Sequence, residues 1–262
     1  MNANPIGIFD SGLGGLSVWE ALYDLMPEES MLYLADSKYA PYGHRPQSEI
    51  IQLSIKNMDY LLEKGCKIVV VACNTATTNA IEILRQSYSV PIIGIEPAIK
   101  PAALNSKTGV VGVLATRGTL ASSLFTKTAA LYAKNRKVIE QYGDGLVTLI
   151  EAGEMESDQM HQLLLDYLNP MISAGIDYLV LGCTHYSFLR PQLEEILPKQ
   201  VKIIDAANAV AKQTRSVLEK QNLLNQGAQR PTFKFYTNKN ISVMKRFLQA
   251  HPADKIIQQV DF

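Results

Sequence analysis

Two cysteines of this chain stand in nearly repeated surroundings. Residues 68–78 read IVVVACNTATT and residues 177–187 read DYLVLGCTHYS. In each, an apolar run of buried-strand type leads through a small residue to Cys73 or Cys183, and a Thr follows within two positions. Strand ends of this kind are where open α/β sheets present reactive groups. A pair of thiols held that way suits a reaction needing one acid and one base of matched strength. The competing reading is two buried core cysteines, since free Cys is among the most buried residue types. The polar company, Asn74 and Thr75 after one thiol and Thr184 and His185 after the other, favours chemistry.

Other residues could serve the two thiols. Asn74-Thr75 and Thr184-His185 are expected to begin helices, where hydroxyls, amides and the unpaired N–H groups of a first turn make a place for a carboxylate. The same helix end draws a thiol's pKa from about 8.5 toward neutrality, which suits a thiolate base. His185, two residues past Cys183, could polarise it. Asp10-Ser11 closes the first strand and could meet the ammonium of a small ligand, or simply cap the next helix. DSGLGG (10–15) is glycine-rich but lacks the G-x-G-x-x-G spacing, so a dinucleotide loop is rejected. Ala40-Pro41-Tyr42-Gly43 is a rigid turn whose glycine lets backbone approach a ligand, and is equally an ordinary β–α loop. Glu151, after an apolar run, could orient or ionise a neighbour. His44 and His161 carry weak signals, and His251-Pro252 reads as a helix stop. C-x-x-C, H-x-H and H-E-x-x-H spacings are missing, so no metal is expected. A Cys-His hydrolase would leave the second thiol without a role.

The elements that must position these groups alternate along the chain. Strands are expected near 5–9, 31–35, 67–72, 91–95, 108–114, 137–140, 177–182, 201–204 and 232–236. Helical patterns fall at 14–25, 46–64, 75–87, 119–133, 157–174, 189–196, 206–219 and 240–249. Runs such as VVVA and YLVLG are apolar without alternation, as parallel strands covered on both faces require. The order repeats coarsely, which predicts an α/β fold of two similar halves, each a mostly parallel sheet flanked by helices. A crossing is expected near 96–105, where two prolines weaken secondary structure. Residues 1–97 with 206–262 would then form the first domain, the tail returning to pad it, and 98–205 the second. One nine-stranded sheet is the alternative.

Composition narrows the classes further. The 262 residues are 47% hydrophobic and 19% charged, with 25 basic and 25 acidic side chains. Nothing in that balance supports a polyanion or membrane partner, and basic and aromatic residues do not interleave as nucleic-acid binding requires. Three cysteines argue for a reducing compartment and against a disulfide scaffold. With no signal-peptide pattern and no apolar run of membrane-helix length, a cytoplasmic protein is expected.

Five blocks carry a resemblance: IGIFDSGLGGLSV (6–18), LYLADSKYAPYG (32–43), VVACNTAT (70–77), GVLATRGTL (112–120) and YLVLGCTHYSFL (178–189). In this order they resemble the bacterial glutamate racemases of the aspartate/glutamate racemase superfamily. The resemblance implies cofactor-independent interconversion of L- and D-glutamate, for peptidoglycan, in a cleft between two pseudosymmetric domains, and a homodimer. It assigns Cys73 and Cys183 as the acid/base pair, with Asp10, Glu151 and His185 assisting. Asp10, Ser11, Tyr42, Gly43, Asn74, Thr75, Thr184 and His185 would bind glutamate, with Thr116, Thr119 and Ser122 in or near the corresponding loop. Two departures stand out: QYGDGLVTLIEAG (141–153) lacks the Cys-Pro of many relatives, and Ser187 replaces the usual proline after His-Tyr. An aspartate racemase and a non-catalytic acidic-amino-acid-binding or regulatory protein are the alternatives.

Overall fold

The computed structural model describes residues 4–225, 227 and 230–262. Its elements are β1 (Ile6–Asp10), α1 (Leu16–Leu25), β2 (Met31–Ala35), α2 (Gln47–Glu63), β3 (Ile68–Val71), α3 (Asn74–Ser87), β4 (Ile92–Gly94) and α4 (Ile99–Asn105). There follow β5 (Val110–Ala115), α5 (Arg117–Leu120), α6 (Ser123–Tyr132), β6 (Lys137–Tyr142), α7 (Leu146–Ala152), α8 (Asp158–Ser173), β7 (Tyr178–Gly182) and α9 (Arg190–Ile196). The chain finishes with β8 (Lys202–Ile204), α10 (Ala207–Lys220), β9 (Phe233–Thr237), α11 (Ser242–Leu248) and β10 (Lys255–Gln259). Two sheets result, in the orders β10-β9-β2-β1-β3-β4 and β6-β5-β7-β8. Every pairing is parallel. The single-sheet alternative is thereby excluded. Among the described residues, no helix is long and apolar enough to cross a membrane.

Both thiols owe their position to the two-residue period of a strand. On β3, Ile68 and Val70 face the core shared with Trp19 and Phe235, whereas Val69 and Val71 face the core shared with Leu34 and Leu84, and Cys73 continues that second face. On β7, Leu179 and Leu181 face the core under α8, and Cys183 continues the same row. Each sulfur thus emerges just past the carboxyl end of a central strand that is buried on both faces.

Four details depart from the sequence reading. The expected crossing at 96–105 is mostly α4, because Pro101 falls in the first turn, where no intrahelical N–H is lost. The helix expected at 119–133 is two, since Ser122 Oγ accepts from Phe125 N at 3.2 Å and starts α6 afresh. After Cys183 there is no α-helix start but a 3₁₀ segment, Thr184–Leu189, with no side-chain cap. The tail does more than pad: β9 pairs with β2 and β10 with β9, widening the first sheet. His251, read as a helix stop, also packs edge-on against Trp19 and Tyr23, with centroids 4.6 and 4.5 Å apart.

The entry to β3 is fixed by a buried ion pair. Lys67 Nζ lies 2.6 Å from Glu29 Oε2, with side chains 2% and 3% exposed, and Asn225 N donates to Glu29 Oε1 at 2.7 Å. Removing one member leaves an uncompensated buried charge. Glu29→Ala should therefore cost about 3–5 kcal/mol, while Glu29→Leu combined with Lys67→Met should cost much less. Urea denaturation of the two variants measures the difference.

Candidate active site

The carboxyl ends of β1, β3, β5 and β7 meet between the two sheets and enclose a cavity. Its walls include Ser11, Tyr42, Gly43, Cys73, Asn74 and Thr75 from the first-sheet side. From the second come Thr116, Cys183, Thr184 and His185, and Pro41 and Val147 complete the lining. The free space is about 10 Å³, room for about one water molecule. Both thiols therefore face one small, enclosed volume.

The first wall is built on the start of α3. Cys73 is itself the N-cap: its Sγ accepts from Ala76 N at 3.4 Å and lies 3.6 Å from Ser11 Oγ. Burial, then the Asp10 charge, push the Cys73 thiol well up, and the contacts to Ala76 and Ser11 oppose them only in part. Asn74 Oδ1 is buried without a hydrogen-bond partner among the described residues. An unpaired buried acceptor is costly, and its place in the lining makes it available to a donor from a ligand.

The second wall carries a charged relay. Cys183 Sγ lies 3.8 Å from His185 Nδ1, and His185 Nε2 lies 2.7 Å from Glu151 Oε1 on α7. That same oxygen accepts from Leu13 N, on the opposite side of the cleft, at 2.6 Å. Burial tends to lower the His185 pKa, but contacts with Cys183 and Glu151 and the charge of Asp10 outweigh it, so His185 titrates well above its usual value. Burial tends to raise Glu151, yet His185 and the Leu13 N–H bring it below the usual carboxylate value. The pair is imidazolium and carboxylate.

Asp10 takes a different place from the one expected. Its carboxylate is fully buried behind the lining, accepting from Gly12 N at 3.0 Å and from the Thr184 hydroxyl at 3.3 Å. Burial raises its pKa, with the charge of His185 opposing. Asp10 thus braces Thr184 across the cleft. Glu151 likewise stands behind His185. Thr119 and Ser122 also lie outside the lining: Thr119 Oγ1 is 3.3 Å from Thr75 Oγ1, and the Ser122 hydroxyl donates to Thr119 O at 2.7 Å. Thr116, by contrast, reaches the cavity and sits 2.8 Å from Thr75 across the cleft. Tyr42 contributes its ring, because its hydroxyl donates away from the cavity to Asp36.

The glycine run resolves at this interface. A Cβ on Gly12 would stand 2.1 Å from Glu151 Oε1, and one on Gly14 would stand 2.4 Å from His185 Nδ1. Gly12 and Gly14 lie against the Glu151–His185 pair, and at these two positions only hydrogen side chains fit. The sequence rejected a nucleotide loop but offered no local sign of this packing. It also passed over Val147 and Asp36, whose importance depends on partners distant in the chain.

The Glu151–His185 pair has a pH signature. Glu151's lowered folded value contributes stability above its usual 4.5, lost as pH falls through that lowered value. His185's raised folded value contributes stability fully below its usual 6.5, lost as pH rises through the raised value. The stability difference between wild type and Glu151→Gln should therefore be greatest between about pH 4.5 and 6.5 and shrink on both sides. Urea midpoints across pH measure it.

Known proteins share the sequence and the fold of this chain. Residues 17–214 match the Asp/Glu/Hydantoin racemase family model. A glutamate racemase of Cupriavidus pinatubonensis is 44% identical over 250 residues, covering 95% of this chain and 92% of that protein. The crystal structure of a glutamate racemase isoform from Bacillus anthracis superposes with a TM-score of 0.89 at 29% identity, covering 100% of this chain and 99% of that one. The Escherichia coli glutamate racemase, in complex with L-glutamate and the activator UDP-MurNAc-ala, gives 0.87 at 29% identity, covering 98% of each chain. With thiols from two parallel sheets facing one cavity, the chain belongs to the Asp/Glu/hydantoin racemase family and is a racemase, an isomerase.

Proposed function

We propose that this protein interconverts L- and D-glutamate with Cys73 and Cys183 as its two acid/base groups, supplying D-glutamate for peptidoglycan. The observation that carries the reading is the convergence of both thiols on one cavity. The name of its 44%-identical relative and the L-glutamate held by the Escherichia coli enzyme support the substrate.

A racemase removes the α-proton on one face and returns a proton on the other. One sulfur, as thiolate, takes the proton from Cα, and the electron pair left behind spreads into the α-carboxylate. The opposite thiol then gives its proton to Cα. One turnover exchanges which sulfur is protonated and leaves the enzyme set for the other enantiomer. In the structure burial keeps the proton on Cys73, while His185, a cation, lies against Cys183. The resemblance to glutamate racemases implies Cys183 for L-glutamate and Cys73 for D-glutamate. The α-proton is a very weak acid, so the carbanion needs preorganised donors in a site closed to water. Ser11 and Thr75 supply hydroxyls, the first turn of α3 and Thr184 supply main-chain N–H groups, and Asn74 Oδ1 accepts from the ammonium. The scheme requires no cofactor.

Room for about one water does not admit glutamate, so the walls must part for entry. Around the cavity the contacts across the cleft include four polar ones: Thr75 to Thr116, Asn79 Nδ2 to Gly118 O at 3.0 Å, Leu13 N to Glu151, and Thr184 to Asp10. The two neutral bonds contribute on the order of 1 kcal/mol each, and the two to carboxylates about 1.5–3 kcal/mol each. Parting the walls breaks these bonds, and closing returns the Leu13 N–H to Glu151.

Proton exchange in deuterated buffer, followed by NMR, tests the function. Wild type should place deuterium at Cα of both glutamate enantiomers with inversion, and not of aspartate. Cys73→Ser and Cys183→Ser should each abolish racemisation yet still bind glutamate; lost binding in both would make the cysteines structural. Gly14→Ala, which displaces His185, should lower kcat by about 10²-fold, the cost of roughly 1 Å of misplacement. Unchanged kcat in that variant would remove closure onto His185 from the mechanism.

A further inference from the structure

We infer that Asp36 and Asn238 are positioning residues for the loop forming one wall of the cavity, so that the C-terminal segment takes part in substrate binding. The inference rests on the racemase reading above. Asp36 directly follows β2, its N–H donating to Asp10 O at 3.0 Å, and its side chain is fully buried. Its carboxylate receives Lys56 Nζ at 2.9 and 3.0 Å, the Tyr42 hydroxyl at 2.5 Å and Asn238 Nδ2 at 2.5 Å. A buried carboxylate must be compensated, and one cation would suffice for charge. The additional donors tie two distant segments of chain to the same group.

The first of these is the cavity wall. Tyr42 is almost fully buried, and burial together with Asp36 keeps its phenol protonated far above the usual range. Asn57 Nδ2 lies 3.1 Å from the same hydroxyl. The hydroxyl is committed to the protein, and what Tyr42 presents to the cavity is its ring and the adjoining Gly43 backbone. Gly43 in turn has little latitude: a Cβ there would stand 2.8 Å from Thr116 Cβ across the cleft. A loop that moves by a few tenths of an ångström either opens this contact or collides with it.

The second segment is the C-terminal return. Asn238 follows β9, and its Oδ1 accepts from Lys38 N at 2.9 Å while its Nδ2 reaches Asp36. One side-chain amide thereby fixes both ends of Asp36–Lys38, where the loop leaves the sheet. Lys56 is held on the same side, its ammonium 4.5 Å from the Tyr39 ring and 4.9 Å from that of Phe262. None of these groups lines the cavity, so they act on substrate only through the loop.

Steady-state racemisation by wild type, Asp36→Asn, Asn238→Ser and their double variant tests the inference. Each single variant should raise KM for D-glutamate about tenfold with kcat within about threefold of wild type, the size expected for losing one hydrogen bond to a charged group. The double variant should be less than the product of the two, since the residues share one contact. Tyr42→Phe, which removes a single oxygen, is the milder probe if Asp36→Asn does not fold, and it should raise KM in the same way. Calorimetric titration of D-glutamate into the same variants carrying Cys73→Ser should show the matching loss of affinity without turnover. A lower melting temperature with unchanged KM and affinity would make the network merely structural and overturn the inference. Failure of wild type itself to racemise glutamate would overturn the racemase reading first, and so separates the two.

Discussion

One oxygen of Glu151 accepts from an imidazolium on its own side of the cleft and from a main-chain N–H on the other. At 2.7 and 2.6 Å these are short, charge-assisted bonds in a site where water is scarce. They fix the glycine run, because the backbone that supplies Leu13 N must pass within contact of both members of the pair. They also fix the charge state of His185, since a buried imidazole with a carboxylate at one nitrogen and a thiol at the other holds its proton. The geometry of the closed cleft and the electrostatics of the second thiol are therefore one constraint. Opening the cleft removes a donor from Glu151 and lets water reach His185.

The two cysteines are related by strand placement and separated by their surroundings. Cys73 caps a 14-residue α-helix, and its sulfur meets the N–H of Ala76, while a carboxylate, Asp10, lies close enough to raise its pKa. Cys183 precedes a 3₁₀ segment that offers no side-chain cap contact, and its polar neighbour is a cation. Pseudosymmetry accounts for the two opposed thiols. The two thiols nonetheless differ in the charge beside them, a carboxylate near Cys73 and an imidazolium against Cys183.

Much of this was legible in the sequence because strand period and burial are local. IVVVA and YLVLG give uninterrupted apolar runs, and counting by two from Val69 or Leu179 places each sulfur. β10 escaped because KIIQQ is an edge strand with one half-exposed apolar residue, Ile256, and edge strands lack the continuous apolar signature. α4 escaped because Pro101 reads as a breaker unless the helix start is known. The roles of Gly12, Asp10 and Asp36 were out of reach for a different reason. Their partners, Glu151, Thr184 and Asn238, stand between 139 and 202 residues away, and no local pattern records a contact across that span.

Asp10 shows what the fold tolerates to keep this arrangement. Burial raises its pKa, so it contributes stability when protonated, below its usual 3.8, and that contribution is lost as pH rises through the raised value. The ionised form carries the cost of burial, relieved in part by His185, Gly12 N and Thr184. A neutral isostere behind Thr184 would pack equally well, so packing does not explain a carboxylate there. What a carboxylate adds is a charge that opposes ionisation of Cys73 while supporting the positive charge of His185 beside Cys183. One carboxylate thus acts on the surroundings of both thiols. The charge that weakens the fold is the one that makes two similarly placed thiols chemically distinct.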